Sequence, residues 1–141
     1  AGSGEKYKKL KKIISQKKLD DKVFLIGHVS NIFKYMKNCE AFILPSLWED
    51  PGFVLVEAAF CRASIISSNC KNGPIEFIEN NKCGFGFKNN NLIDFEKQFN
   101  NFLKADKKII LQKKFHAFKK TKNFSNFRHF KNLNKILYTL Q

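Results

Sequence analysis

The sequence is short of arginine, acids, proline and glycine. Arg62 and Arg128 are the only arginines among 26 basic residues, 12 acids oppose them, and the 141 residues include 3 prolines and 7 glycines. A nucleic-acid surface concentrates arginine and lysine on one element and interleaves exposed aromatics, because phosphates and bases must be met together. Here the lysines are scattered, with local clusters at Lys8 to Lys18 and Lys107 to Lys122. The net charge of +14 therefore reads first as solvated surface, second as attraction to an anionic membrane leaflet and only third as nucleic-acid binding.

Long apolar runs are missing too. No uncharged stretch approaches the roughly 18 residues of a membrane span, and the opening AGSGEKYKK has no apolar signal region. The expected location is the cytoplasm, at most peripheral on the inner face of the membrane. Cys39, Cys61, Cys70 and Cys83 lie far apart, with no C-x-x-C pair and no histidine at zinc-ligand spacing. They read as reduced thiols, and neither a metal nor a cofactor is expected.

What the sequence does have is a core. Hydrophobic residues make up 43% of the chain and there are 16 phenylalanines, which excludes the low-hydrophobicity signature of disorder. The length suits one domain over residues 1–141, with residues 105–141 as its terminal helices. Tyr7, Leu10, Ile13 and Ile14 recur at helical spacing. Apolar runs at Val23 to Gly27, Ala41 to Ser46, Ser64 to Ser68 and Gly84 to Phe87 read as strands, with helical segments between them. Pro74 suits a first helical position. Alternation at this spacing requires parallel pairing through crossovers, so the fold expected is α/β, a Rossmann-like parallel sheet with flanking helices. Helix-spaced stripes follow at Leu92, Phe95, Phe99 and Phe102, at Leu111, Phe115 and Phe118, and at Phe127, Phe130, Leu133, Leu137 and Leu140. They predict three C-terminal helices, the second capped by Asp106 and the third by Ser125.

In a parallel sheet, ligands bind outside the carboxyl ends of the strands, where turns present backbone N–H groups and helix N-termini. Three turns qualify: Gly27-His28-Val29, Leu47 to Gly52, and Asn69 to Pro74. The second places Glu49 in a loop, Gly52 where a ligand can touch backbone, and Glu57 about one turn into the next helix. Two carboxylates flanking the amides of Gly52, Phe53 and Val54 suit a sugar nucleotide: acids accept from vicinal hydroxyls while amides meet a diphosphate. The plainer alternative is that Glu49 and Asp50 favour the helix N-terminus electrostatically and Glu57 is a solvated helix residue.

The pattern S-x-x-E-x-x-G-x-x-x-x-E-A, from Ser46 to Ala58, resembles the E-x7-E motif of glycosyltransferase family 4. VFLIGHVSNIFKYMKNCEAFILPS and ASIISSNCKNGPIEFIENNKCGFGF are similar to the segments around that motif. The resemblance implies the C-terminal, donor-binding half of a GT-B fold, with its first strand truncated. It also implies a retaining enzyme moving a sugar from a nucleoside diphosphate, UDP by preference, to a glycan or polyprenol-linked acceptor. The WEDPGF and SSNCKNGPIEF versions resemble bacterial members that build surface polysaccharides.

By the same resemblance Glu49 is the catalytic residue facing the donor sugar, and Glu57 holds the ribose hydroxyls. Gly52, Phe53 and Val54 meet phosphate or sugar, and Gly27, His28 and Val29 border the base. Glu76 fits the family's G-x-x-E segment, although an acid in a first helical turn has a structural role available. Gly2-Ser3-Gly4 resembles the end of a glycine loop. The family's arginine and lysine for the diphosphate, and its acceptor-binding N-terminal domain, are expected outside this sequence. Pro51 stands where many members have phenylalanine, and Asn69 where many have aspartate. The alternatives are a non-catalytic nucleotide-sugar-binding module and, more distantly, a basic nucleic-acid-binding domain.

Overall fold

The computed structural model describes residues 2–139 and divides into two compact units between Lys34 and Tyr35. The first unit contains helix α1 (Tyr7–Gln16). Its lysines face water, and Tyr7 and Leu10 line one cavity with Phe24, Leu25 and Ile26. The strand expected at Val23 to Gly27 does not form. A strand exists through its ladder. Here Gly27 O accepts from Gly2 N at 2.5 Å, but no ladder follows, and Val23, Phe24 and Ile26 remain exposed. An apolar run without a paired neighbour stays irregular. Helix α2 (Phe33–Asn38) follows.

The second unit carries the sheet. Strands β1 (Ala41–Leu44), β2 (Ser64–Ser68) and β3 (Phe85–Phe87) are all parallel, in the order β1-β2-β3. Ala41 stands opposite Ser64, and Ile66 opposite Phe85. The crossovers hold helices α3 (Phe53–Phe60) and α4 (Pro74–Ile78). Beyond the sheet come α5 (Leu92–Lys104), α6 (Lys107–Thr121), a short 3₁₀ turn at Lys122–Phe124, and α7 (Asn126–Thr139). Leu140, the last member of the expected third stripe, lies outside the described residues.

The two-residue period of the strands sorts side chains onto two faces. On one, Leu55 and Ala59 of α3, Phe77 and Ile78 of α4 and Ala117 of α6 bury Ile65 of β2, with Phe42 and Leu44 beside them. On the other, Phe95, Phe99 and Phe102 of α5 cover Ile66, Phe85 and Phe87. The Phe87 and Phe95 rings meet at 5.1 Å in an edge-to-face contact. Each fully buried leucine, isoleucine or phenylalanine contributes about 1.5–3 kcal/mol. Strand β2, covered on both faces, has every residue buried, and this explains its unbroken run of small and apolar residues.

The helix starts differ from one another. Asn91 Oδ1 accepts from Asp94 N at 2.9 Å, and Ser125 Oγ from Arg128 N at 3.3 Å. Asp106 occupies the N-cap position of α6, but its side chain makes no capping bond. The carboxylate is exposed and keeps its hydration, so little is lost. None of the four cysteines is in a disulfide. Burial pushes the Cys39, Cys61 and Cys83 thiols up, which favours the neutral form.

Candidate functional site

The turn between β1 and α3 is assembled from the ends of all three strands. Strand β1 delivers Pro45 and Ser46 at the carboxyl edge of the sheet, and eight residues after Leu44 the chain enters α3 at Gly52. Gly52 is the N-cap, with φ 72° and ψ 45°, a left-handed conformation that L side chains rarely adopt. A Cβ there would lie 3.3 Å from Glu49 Cβ and 3.5 Å from Glu49 Oε2, so the Glu49 side chain lies directly over the glycine backbone. Phe53 and Val54, the first two helical residues, have N–H groups that helix geometry leaves without intrahelical acceptors. The structure thus brings together Glu49, Gly52 and the start of α3.

Glu57 lies one turn further along α3 and is half-buried. Burial first, and then the charge of Glu57, push up the thiol of Cys61 on the next turn. The Phe53 ring leaves the site and packs edge-on to Phe124 at 6.3 Å. Its part in any ligand contact is therefore a backbone one.

The turn is clamped by its neighbours. Ser46 Oγ donates to Glu49 Oε1 at 2.6 Å, and the Ser46 carbonyl accepts from Ser68 Oγ at 2.5 Å. Asn89, in the turn after β3, donates from its side-chain amide to the Leu47 carbonyl at 2.7 Å. Gly73 has φ 131°, and a Cβ there would sit 1.8 Å from the Pro51 carbonyl oxygen. Pro51 has no N–H to offer a ligand, and its carbonyl lies against Gly73, a structural part in the turn. Glu76 Oε2 accepts from Gly73 N at 2.7 Å and caps α4, the structural role open to it in the sequence. Asn69 N donates to Phe87 O at 2.8 Å, extending the β2–β3 ladder by one bond.

Ser46, Ser68 and Asn89 were not among the residues expected at the site. Ser46 had a signal in its spacing, three residues before Glu49. Ser68 and Asn89 act on residues 22 and 42 positions away, and no local pattern announces such bonds.

In the first unit, Gly27 has φ 67°, and a Cβ there would meet nothing within 4 Å. His28 is exposed and Val29 half-buried. Among the described residues no three His, Cys, Asp or Glu side chains gather as a metal site requires, and no helix is long and apolar enough to cross a membrane.

A carboxylate fixed beside two helix-start amides, with a second acid one turn on, offers acceptors for hydroxyls and donors for an anion in one place. The chain is similar to known proteins over most of its length. Residues 1–123 match the family described as glycosyl transferases group 1. A glycosyltransferase structure from Rickettsia africae superposes with a TM-score of 0.82, at 23% identity, over 95% of this chain and 36% of that one. A variant of Staphylococcus aureus TarM, solved with fondaparinux, α-GlcNAc-glycerol and UDP, gives a TM-score of 0.74 and 26% identity over 82% of this chain and 23% of its own. The N-acetylgalactosamine-N,N'-diacetylbacillosaminyl-diphospho-undecaprenol 4-alpha-N-acetylgalactosaminyltransferase of Campylobacter jejuni is 31% identical over 83 residues, 59% of this chain and 23% of the relative. The chain spans about a fifth of the length of the curated relatives it matches.

Proposed function

The chain belongs to the glycosyl transferases group 1 family, and from that premise we propose that it is the donor-binding domain of a retaining glycosyltransferase. The whole enzyme moves a sugar from a nucleoside diphosphate, with UDP as the nucleotide, to a glycan or polyprenol-linked acceptor. The observation that carries this reading is the placement of Glu49 over Gly52 at the start of α3, with Glu57 one turn on. Glu49 faces the donor sugar and Glu57 takes the ribose hydroxyls. The amides of Gly52, Phe53 and Val54 meet phosphate or sugar, and the turn Gly27, His28 and Val29 is assigned to the base.

Two properties of the relatives support the finer points. TarM was solved with UDP, and the Campylobacter jejuni relative is named for an α-linked product on a diphospho-undecaprenol carrier. UDP-N-acetylhexosamines carry their sugar in α linkage, so an α product retains configuration. Charge building on the departing diphosphate is stabilised by preorganised amides, together with basic residues supplied outside this sequence. A nucleotide-bound donor and a lipid-linked acceptor meet at the cytoplasmic face of a membrane, where the lysine clusters at Lys8 to Lys18 and Lys107 to Lys122 favour peripheral contact.

The test uses the full-length enzyme and UDP release from a panel of UDP-hexoses and UDP-N-acetylhexosamines. Glu57→Ala weakens UDP binding by about 10-fold or more, as expected for losing hydrogen bonds to a charged group. Glu49→Ala lowers kcat by about 100-fold and leaves UDP binding nearly unchanged. Normal turnover in both variants sinks the assignment.

A further inference from the structure

We infer that Ser46 is a positioning residue for Glu49, its hydroxyl holding the carboxylate over the start of α3 while Ser68 anchors Ser46 to the buried central strand. The inference rests on the reading of Glu49 given above. A glutamate side chain has three rotatable bonds, and an unrestrained one in a loop would sample several rotamers. Here Glu49 Oε1 accepts from Ser46 Oγ at 2.6 Å, at the short end of the range for a hydroxyl donor. Its other oxygen, Oε2, is turned toward Gly52 and the helix start. One oxygen is used for orientation and the other faces the place assigned to the donor.

A hydroxyl can orient its partner only if its own backbone is fixed. Ser68 is fully buried on β2, and its hydroxyl donates to the Ser46 carbonyl at 2.5 Å. The next carbonyl, that of Leu47, is held by Asn89 from the turn after β3. Two consecutive carbonyls of the turn are thereby tied to two different strand ends. The chain of contacts runs from a buried strand, through Ser46, to the carboxylate.

The experiment compares Ser46→Ala, Ser46→Thr and Glu49→Gln in the full-length enzyme. Turnover is read as UDP release from the best donor of the panel, and binding is read with UDP alone. Ser46→Ala is expected to lower kcat by about 10-fold or more, because small misplacements of a reacting group are costly in rate. UDP affinity and thermal midpoint should stay close to wild type, and Ser46→Thr, which keeps the hydroxyl, should recover most of the loss. In the Glu49→Gln background, Ser46→Ala should add less than about a twofold further loss, since coupled residues are non-additive. Wild-type kcat in Ser46→Ala, equal impairment in the Ala and Thr variants, or full additivity with Glu49→Gln would each overturn the inference. If Ser46→Ala is unstable, the near-isosteric Ser46→Cys decides, with a weak donor giving an intermediate kcat. An inactive Glu49→Ala beside a normal Ser46→Ala defeats only this inference, whereas normal turnover in both Glu49→Ala and Glu57→Ala defeats the functional reading itself.

Discussion

Gly27 and Gly73 both lie between regular elements, and both have a positive φ, yet they are glycines for different reasons. At Gly27 the backbone angle alone disfavours a side chain, because a Cβ would enter open space. At Gly73 the angle of 131° is joined by the carbonyl of Pro51, which occupies the place a Cβ needs. Gly52 lies between these extremes: its angle is left-handed, and the neighbour it would crowd is the flexible side chain of Glu49. These three glycines therefore mark three situations: an angle, an angle with a yielding neighbour, and an angle with an unyielding one. Only the last two report that something functional or structural has come close.

That ordering can be broken by substitution in the full-length protein. Gly73→Ala should have the largest effect, because a methyl at 1.8 Å from backbone oxygen forces the two turns apart. We expect a loss of more than about 3 kcal/mol of stability, seen as a collapse of the thermal midpoint or as loss of soluble protein. A folded, near-wild-type Gly73→Ala would refute the contact between the turns. Gly52→Ala should come next, with about 1–2 kcal/mol of conformational strain. It should also cost turnover beyond its stability effect, because Glu49 must give way by a few tenths of an ångström. If its turnover per folded molecule is unchanged, the placement of Glu49 over Gly52 has no bearing on catalysis. Gly27→Asn should be the mildest: asparagine tolerates the left-handed region, so the midpoint should fall by less than the equivalent of about 1 kcal/mol. A large loss at Gly27 would show a crowded turn and remove the contrast.

Much of the fold was legible because its determinants are local. The unbroken run at Ser64–Ser68, the proline opening α4 and the phenylalanine stripe of α5 each follow from periodicity or from one residue's backbone preference. Val23 to Gly27 has the same local signature as a strand, but pairing is not a local property, and the segment stays irregular. The site divides along the same line. Glu49, Gly52 and Glu57 could be picked out because the local pattern Ser46 to Ala58 resembles a known motif, whereas spacing alone left a purely electrostatic role at the helix start open. Asn89 could not, because its bond to Leu47 depends on how three strand ends are brought level by the register of the sheet.

Strand β2 has a consequence in time as well as in space. Amides exchange with solvent fastest where the chain opens locally and slowest where only global unfolding exposes them. A strand paired on both sides and covered on both faces belongs to the slowest class, and Ser68, its last residue, ties the Ser46 carbonyl to it. The turn that carries Glu49 is thus moored to the part of the unit that lets go last, so the tether persists through openings that release α7 or the lysine-rich surface.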